Sequence, residues 1–272
     1  MSRNKLIGVI SACIIVVIVV LVISLSGRGA VVTFPDPNLE TAIREALSKP
    51  SGPIHASELA GLANLTASDS GIERLLGLQY CTNLTDLSLG RNQISDISPL
   101  ANLTSLTHLD LWHNQISDIS PLANLTSLTD LDLGDNRISD ISPVVNFTNL
   151  TTLDLYSNQI GDIFPLANLA NLEYLSLEFN QISDISPLAN LTSLTALDLL
   201  HNQINDISPL ANLTDLIEIL LYSNQIDDIS PLVDNPGLGE GDYVSLGKNP
   251  LSSDSINTYI RQLRVRGVKV DY

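Results

Sequence analysis

Three aspartates, Asp110, Asp132 and Asp154, recur at intervals of 22 residues, and three of the four histidines, His108, His113 and His201, fall in equivalent stretches. Carboxylates and imidazoles at short spacing suit metal ligation, proton transfer or recognition of a cation. Each aspartate stands between two leucines in an L-D-L run, the alternation of a strand with one buried face. On adjacent parallel strands such carboxylates lie about 5 Å apart and repel. A cation or a basic ligand would relieve that repulsion, and hard oxygens suit Ca²⁺. Solvent and salt screen exposed charges as well, and L-D-L is common in repeats of this kind, so no dedicated metal site is assigned. His108 and His113, two and three positions from Asp110, do not converge on one strand as zinc ligands must.

Aromatic side chains add a second chemistry. The chain holds 12 Phe, Trp and Tyr in 272 residues, so their placement carries information. Immediately after the strand leucines come Trp112, Tyr156 and Tyr222, with Gly90 and Gly134 in the same column. The next column holds His113, Phe179 and His201, and the column just ahead of the second strand leucine holds His108 and Tyr174. Aromatic residues on an outward sheet face bury a large area at small entropic cost, which is how binding surfaces are built. The competing expectation is that the rings only cover neighbouring leucines. The expected ligand-binding set is therefore His108, Asp110, Trp112, His113, Asp132, Asp154, Tyr156, Tyr174, Phe179, His201 and Tyr222. No P-loop, nucleophile elbow or metal-type histidine pair is present, so no enzymatic activity and no cofactor are expected.

The frame for these residues is a repeat. "NQISDISPLANLTSL" begins at Asn92 and, unchanged, at Asn114, and close copies follow every 22 residues to Asn224. The pattern L-x-x-L-x-L-x-x-N-x-I is a leucine-rich repeat. Its asparagine falls where the chain turns inward, and seven such amides would bond the backbone of adjacent coils. Ile116, Ile119 and Leu122, at spacing three, suit a 3₁₀ turn, with Ser120 as its cap and Pro121 in its first turn. The matching aspartates Asp96 to Asp228 are expected to cap that turn. The expected fold is a leucine-rich repeat solenoid of the α/β class. It has a curved parallel β-sheet on the concave face and 3₁₀ turns on the convex face.

The ends read differently. "FPDPNLETAIREALSKP" gives a helical cap with Asp36 as N-cap, Pro37 in the first turn and Phe34 beneath the apolar stripe. A degenerate unit (Leu65, Ile72, Leu75, Leu78, Cys81) precedes the clear ones. "SSDSINTYIRQLRVRGVKVDY" gives a short helix with Ile256, Tyr259, Ile260 and Leu263 inward, a stop at Gly267 and a last strand over Val268–Val270. Arg3 and Lys5 precede an apolar run of about 20 residues, the length of a bilayer span. The reading is a signal anchor with the repeats outside the membrane. The alternatives are a cleaved signal, which would release a secreted protein, or a lipid on Cys13. The divisions are a cytoplasmic tail (1–5), a transmembrane helix (6–26), a linker (27–33), the helical cap (34–60), the repeats (61–236) and a C-terminal repeat and cap (237–272). A net charge of −17 argues against nucleic acid as partner.

The 22-residue unit and the "FPDPNLETAI" cap resemble the bacterial internalin family, over about Phe34 to Asn249. The resemblance implies a surface-displayed protein whose concave face binds other proteins; the expected ligand is a protein or peptide and the ectodomain is expected to be monomeric. Only a cap of some 20 residues follows the repeats, without that family's immunoglobulin-like domain or wall-sorting signal. The resemblance is therefore carried to fold and general binding behaviour alone. The rival reading is an envelope spacer, adhesin or glycan-binding module with no specific protein ligand.

Overall fold

The computed structural model describes residues 29–272. The apolar run over 6–26 and Cys13 lie outside the described residues. Among the described residues no helix is long and apolar enough to cross a membrane.

Asp36 starts the front cap. Its Oδ1 accepts the N–H groups of Asn38 and Leu39 at 2.9 and 3.2 Å, and the helix Pro37–Ala46 follows with proline in its first turn. Leu39 and Ile43 point into the core. The other carboxylate oxygen of Asp36 accepts the N–H groups of Glu73 and Arg74 at 2.7 and 3.0 Å, which ties the cap to the first coil. Burial pushes the Asp36 pKa up, but these four backbone donors outweigh it and the net shift is downward. Strand β1 (Val31–Val32), read from the sequence as linker, pairs antiparallel with β2 (Ile54–His55). Phe34 is buried and its ring occupies the space where a Cβ on Gly77 would stand.

The repeats build one ten-stranded parallel sheet of three-residue strands. In order these are β3 (Asn64–Thr66), β4 (Asp86–Ser88), β5 (His108–Asp110), β6 (Asp130–Asp132), β7 (Thr152–Asp154), β8 (Tyr174–Ser176), β9 (Ala196–Asp198), β10 (Glu218–Leu220), β11 (Tyr243–Ser245) and β12 (Lys269–Asp271). The register is in phase: Leu87, Leu109, Leu131, Leu153, Leu175, Leu197 and Ile219 stand side by side, all buried. Each such side chain contributes about 1.5–3 kcal/mol by leaving water. No coil is stable alone, because its leucines are covered only by the coils on either side.

The asparagine column makes the expected ladder. Asn136 Nδ2 donates to the carbonyls of Leu111 and Leu133 at 3.0 and 3.1 Å, and its Oδ1 accepts Ile116 N–H at 3.0 Å. The side opposite the sheet is a row of 3₁₀ turns, from Ser98–Leu100 to Ser208–Asn212. The expected aspartate cap is present: Asp118 Oδ1 accepts the Ser120 N–H at 2.8 Å, and Ser120, also read as a cap, is instead the first residue of the turn. Asp96 to Asp228 repeat this bond.

The back cap also departs from the sequence reading at one residue. Ile260 and Leu263 are buried, Tyr259 is half-buried, and Gly267 ends the helix at φ +92°. Ile256 is exposed instead of inward, and Ser255 is fully buried in its place. The cause is a π-helical turn over Ser255–Tyr259, which widens the helix and rotates Ser255 inward and Ile256 outward. Ser255 Oγ donates to Asp227 O at 2.7 Å and accepts Ile229 N–H at 3.2 Å, sealing the last coil. Val268 and Val270 are buried, with the strand itself at Lys269–Asp271.

Candidate functional site on the outward sheet face

In-phase strands set the outward side chains in rows. The first row runs Asp86, His108, Asp130, Thr152, Tyr174 and the second Ser88, Asp110, Asp132, Asp154, Ser176. Between them lies a shallow trough of about 270 Å³, lined by Asp86, Asp110, Asp130, Asp132, Asp154 and Tyr174 among others. His108 sits across it. Its Nδ1 is 3.3 Å from Asp86 Oδ1 and its Nε2 is 3.2 Å from Asp130 Oδ2, so one imidazole bridges carboxylates of the two neighbouring strands.

The central aspartates have a structural task that the L-D-L pattern did not reveal. Asp110, Asp132 and Asp154 each turn Oδ1 back onto the N–H two residues on, at 3.1, 2.9 and 3.0 Å, and so fix the strand's exit. Asp198 does the same for Leu200. This bond draws the carboxylates against the backbone and out of full solvent. Burial raises the pKa of Asp110 and Asp154, and raises that of Asp132 to about 6, with a further push from Asp154 and Asp110. Asp198 reaches about 6 as well, by burial first and by Glu178, Asp154 and Glu218 after it. Among the described residues no group of three or more His, Cys, Asp or Glu is arranged to hold a metal ion.

The post-strand row explains its own glycines. A Cβ on Gly90 would lie 2.3 Å from Cδ1 and Nε1 of Trp112, and one on Gly134 would lie 2.1 Å from Cε1 of Tyr156. Gly247 has the same relation to Tyr222, at 2.8 Å. Each large ring thus lies over a glycine of an adjacent coil. Trp112, Tyr156 and Tyr222 are half-buried in consequence. Burial, then the carboxylates Asp135, Asp132, Asp154 and Glu178, push the Tyr156 hydroxyl up to about 12 and keep it protonated.

The next row is a turn in the left-handed region. Arg91, His113, Asp135, Ser157, Phe179, His201, Ser223 and Lys248 have φ between +50° and +61°. The turn swings the following asparagine inward and throws this row's side chains outward. Left-handed backbone costs about 1–2 kcal/mol for a residue with a Cβ, and bulky side chains are uncommon there. Phe179 and His201 nevertheless occupy it, stacked at 4.2 Å with 7° between planes, and His201 meets Tyr222 edge-on at 5.5 Å. His113 bonds Asp135 of the next coil through Nδ1 and lies 5.7 Å from Trp112. The Arg91 guanidinium is 5.5 Å from the Trp112 ring centre, and Lys248 Nζ is 5.1 Å from that of Tyr222.

The eleven residues singled out from the sequence therefore all stand on one side of the sheet, in three separate clusters. Trp112 and His113 form one, and Phe179, His201 and Tyr222 another. The trough holds His108, Asp110, Asp132, Asp154 and Tyr174, and Tyr156 lies in the post-strand row over Gly134. Arg91 and Lys248, which complete the ring clusters, were not singled out. Their signal was present, since they stand in the variable turn column beside an aromatic row.

A stack of coils with this strand, asparagine ladder and 3₁₀ turn defines a leucine-rich repeat protein. Models of the family described as "Leucine Rich repeats (2 copies)" match residues 104–146 and 148–190, and the single "Leucine Rich repeat" model matches 80–97 and 190–207. The solved internalin C2 of Listeria monocytogenes is 45% identical, with a TM-score of 0.73, over 75% of this chain and 91% of that one. An internalin (inlF) of the same organism is 42% identical, with a TM-score of 0.76, over 79% of this chain and 64% of the other. Internalin C of Listeria monocytogenes is 40% identical over 58 residues, 21% of this chain and 20% of its own length. These last two matches span less than two thirds of either relative. The chain belongs to the internalin-type leucine-rich repeat family.

Proposed function

We propose that this chain is a membrane-anchored, extracytoplasmic binding module that captures a protein or peptide on the outward face of its sheet. The observation that carries the reading is the row of ring-bearing residues held at left-handed backbone. Phe179 is half exposed there, where a smaller residue would sit with less strain. A fold that needed only stability would place Gly or Asn at that turn. Surface display follows from the Arg3/Lys5-flanked apolar run and from the family resemblance. No catalytic constellation enters the reading.

The test is a selection of displayed peptides and protein fragments on the immobilised full-length chain. Binders are then challenged with a Trp112→Ala/Tyr156→Ala double variant. Loss of capture is expected. Phe164→Ala, on the side opposite the sheet and 71% exposed, is expected to retain it. Retained capture by the double variant would remove the sheet face as the interface. The seating of Trp112, Tyr156 and Tyr222 over glycines favours a second reading, in which the rings only cover the array and the protein acts as a spacer. That reading expects no binders from the selection. It also expects deletion of whole 22-residue units to matter more than any point change on the face.

A further inference from the structure

We infer that the partner segment is cationic, an extended stretch bearing Arg or Lys laid across the strands from Trp112 to Tyr222, with its charges over the trough and its flanks against the ring clusters. The inference rests on the binding reading above and narrows it to one class of ligand.

Charge complementarity is the first argument. Asp86, Asp110, Asp130, Asp132 and Asp154 line one trough, and the basic side chain that lines it with them is His108, already shared between Asp86 and Asp130. Among the described residues no Lys or Arg forms a salt bridge with any of these five. Asp110 and Asp132 line the trough while committing Oδ1 to the backbone, so one oxygen of each remains for a ligand. The burial and mutual repulsion that raise Asp132 would both be offset by a cation placed over it. Guanidinium and ammonium groups supply several donors per charge, which matches oxygens in a row better than a single inorganic ion would.

The rings give an independent argument. The two Lys/Arg residues of the turn row, Arg91 and Lys248, both lie over aromatic faces, those of Trp112 and Tyr222. The chain's own cations thus show what these rings accept. Phe179 offers a further half-exposed face beside His201.

Size fits the same occupant. Trp112 follows β5 and Tyr222 follows β10, five strand intervals or roughly 24 Å. An extended peptide covers that distance in about seven residues.

Three labelled decapeptides of one scaffold, with Arg and Tyr alternating, with Gln for Arg and with Glu for Arg, are titrated against the full-length chain by fluorescence anisotropy. The Arg peptide is expected to bind on the order of tenfold tighter than the Gln peptide, and to weaken severalfold between about 0.05 and 0.3 M salt. Asp110→Asn with Asp132→Asn keeps an acceptor for each backbone N–H and is expected to lower the affinity about tenfold. Asp215→Asn with Asp234→Asn removes the same charge from exposed positions elsewhere and should change it little. Equal binding of the Gln peptide, no binding of any peptide, or equal loss in the control pair would each overturn the inference. If the Gln peptide binds and Trp112→Ala/Tyr156→Ala abolishes it, the face still binds and only the cationic class fails. If neither these peptides nor the displayed library depends on Trp112 and Tyr156, the binding reading fails with it.

Discussion

The indole of Trp112 lies in the space above the α-carbon of Gly90, one coil away, so close that a methyl group on Gly90 would come within 2.3 Å of two ring atoms. Gly90 has no left-handed backbone to justify it, so its role is room for the ring. The ring in turn covers the exposed end of the β4 coil and receives the Arg91 guanidinium. The placement of the ring and the local packing are therefore coupled at this position.

Gly90→Ala is expected to lever the indole outward without unfolding the array, because a single side chain gives way more cheaply than backbone. Trp112 is the only tryptophan, so intrinsic fluorescence reports it alone. The expected outcome is a red-shifted emission maximum with a stability loss of about 1 kcal/mol. Gly134→Ala displaces Tyr156 instead and should leave the emission maximum where it is. A red shift of equal size in both variants would mean that Trp112 is not seated on Gly90.

The asparagine ladder makes a harder demand. Asn136 is buried, and its amide serves three carbonyls and one N–H. Asn136→Ala orphans the Ile116 N–H and removes one donor from each carbonyl, while Leu111 and Leu133 keep the amides of Asn114 and Asn158 and Gly134 keeps the His113 N–H. The expected cost in urea unfolding is about 2 kcal/mol. Asn136→Asp restores the acceptor for Ile116 N–H but points an oxygen at the carbonyls of Leu111, Leu133 and Gly134. It should be at least as damaging as alanine. A mild effect of the aspartate would show that the donor half of the amide is dispensable.

The leucine columns, the Asn ladder and the row Asp96 to Asp228 were legible because each has a fixed chemical task that recurs with the period. Asp110 and Asp132 were legible in position and not in task, since an aspartate in L-D-L reads alike whether it is solvated or bonded two residues ahead. The seats at Gly90 and Gly134 were missed because a glycine kept for space leaves no sign in backbone pattern. Ile256 was misplaced because a π-turn inserts a rotation that a period of 3.6 does not contain. The left-handed turn at Phe179 and His201 was hidden by its occupants, which are not the residues that usually mark such a turn.

Acid should strengthen this fold over part of the pH range, and Asp132 gives the sign. Its pKa in the folded chain is raised to about 6, above the ordinary carboxylate value, so the native state holds the proton more tightly than the unfolded chain. The stability it contributes is present below the ordinary value and is lost as pH rises through about 6. Asp198 acts in the same direction over the same window. Asp36, whose pKa is lowered, acts in the opposite direction and only at lower pH. Asp132→Asn keeps the acceptor for Gly134 N–H and removes the charge, so it should stabilise the chain at about pH 7.5 by about 1 kcal/mol after allowance for solvent screening. The gain should vanish at about pH 4.5, where the native aspartate is already protonated. A gain that is equal at both pH values would assign the effect to packing and not to charge.

The turn row offers a direct measure of what the ring at Phe179 costs and returns. Ser157 and Phe179 share φ +52° at equivalent positions of neighbouring coils, but only Phe179 has a stacked partner. Glycine at either site relieves left-handed strain, less the backbone entropy it loses on folding. Ser157→Gly is therefore expected to raise stability by about 0.5–1 kcal/mol. Phe179→Gly gains the same relief and loses the 4.2 Å stack on His201, an interaction of about 0.5–1.5 kcal/mol. Its net change should be near zero or unfavourable, measured by urea unfolding alongside Ser157→Gly. If Phe179→Gly stabilises the chain as much as Ser157→Gly does, the stack contributes nothing to the fold. Phe179 would then be a residue kept at a strained turn solely for what it presents to the outside, and loss of the selected binders in that same variant would identify it as part of the interface.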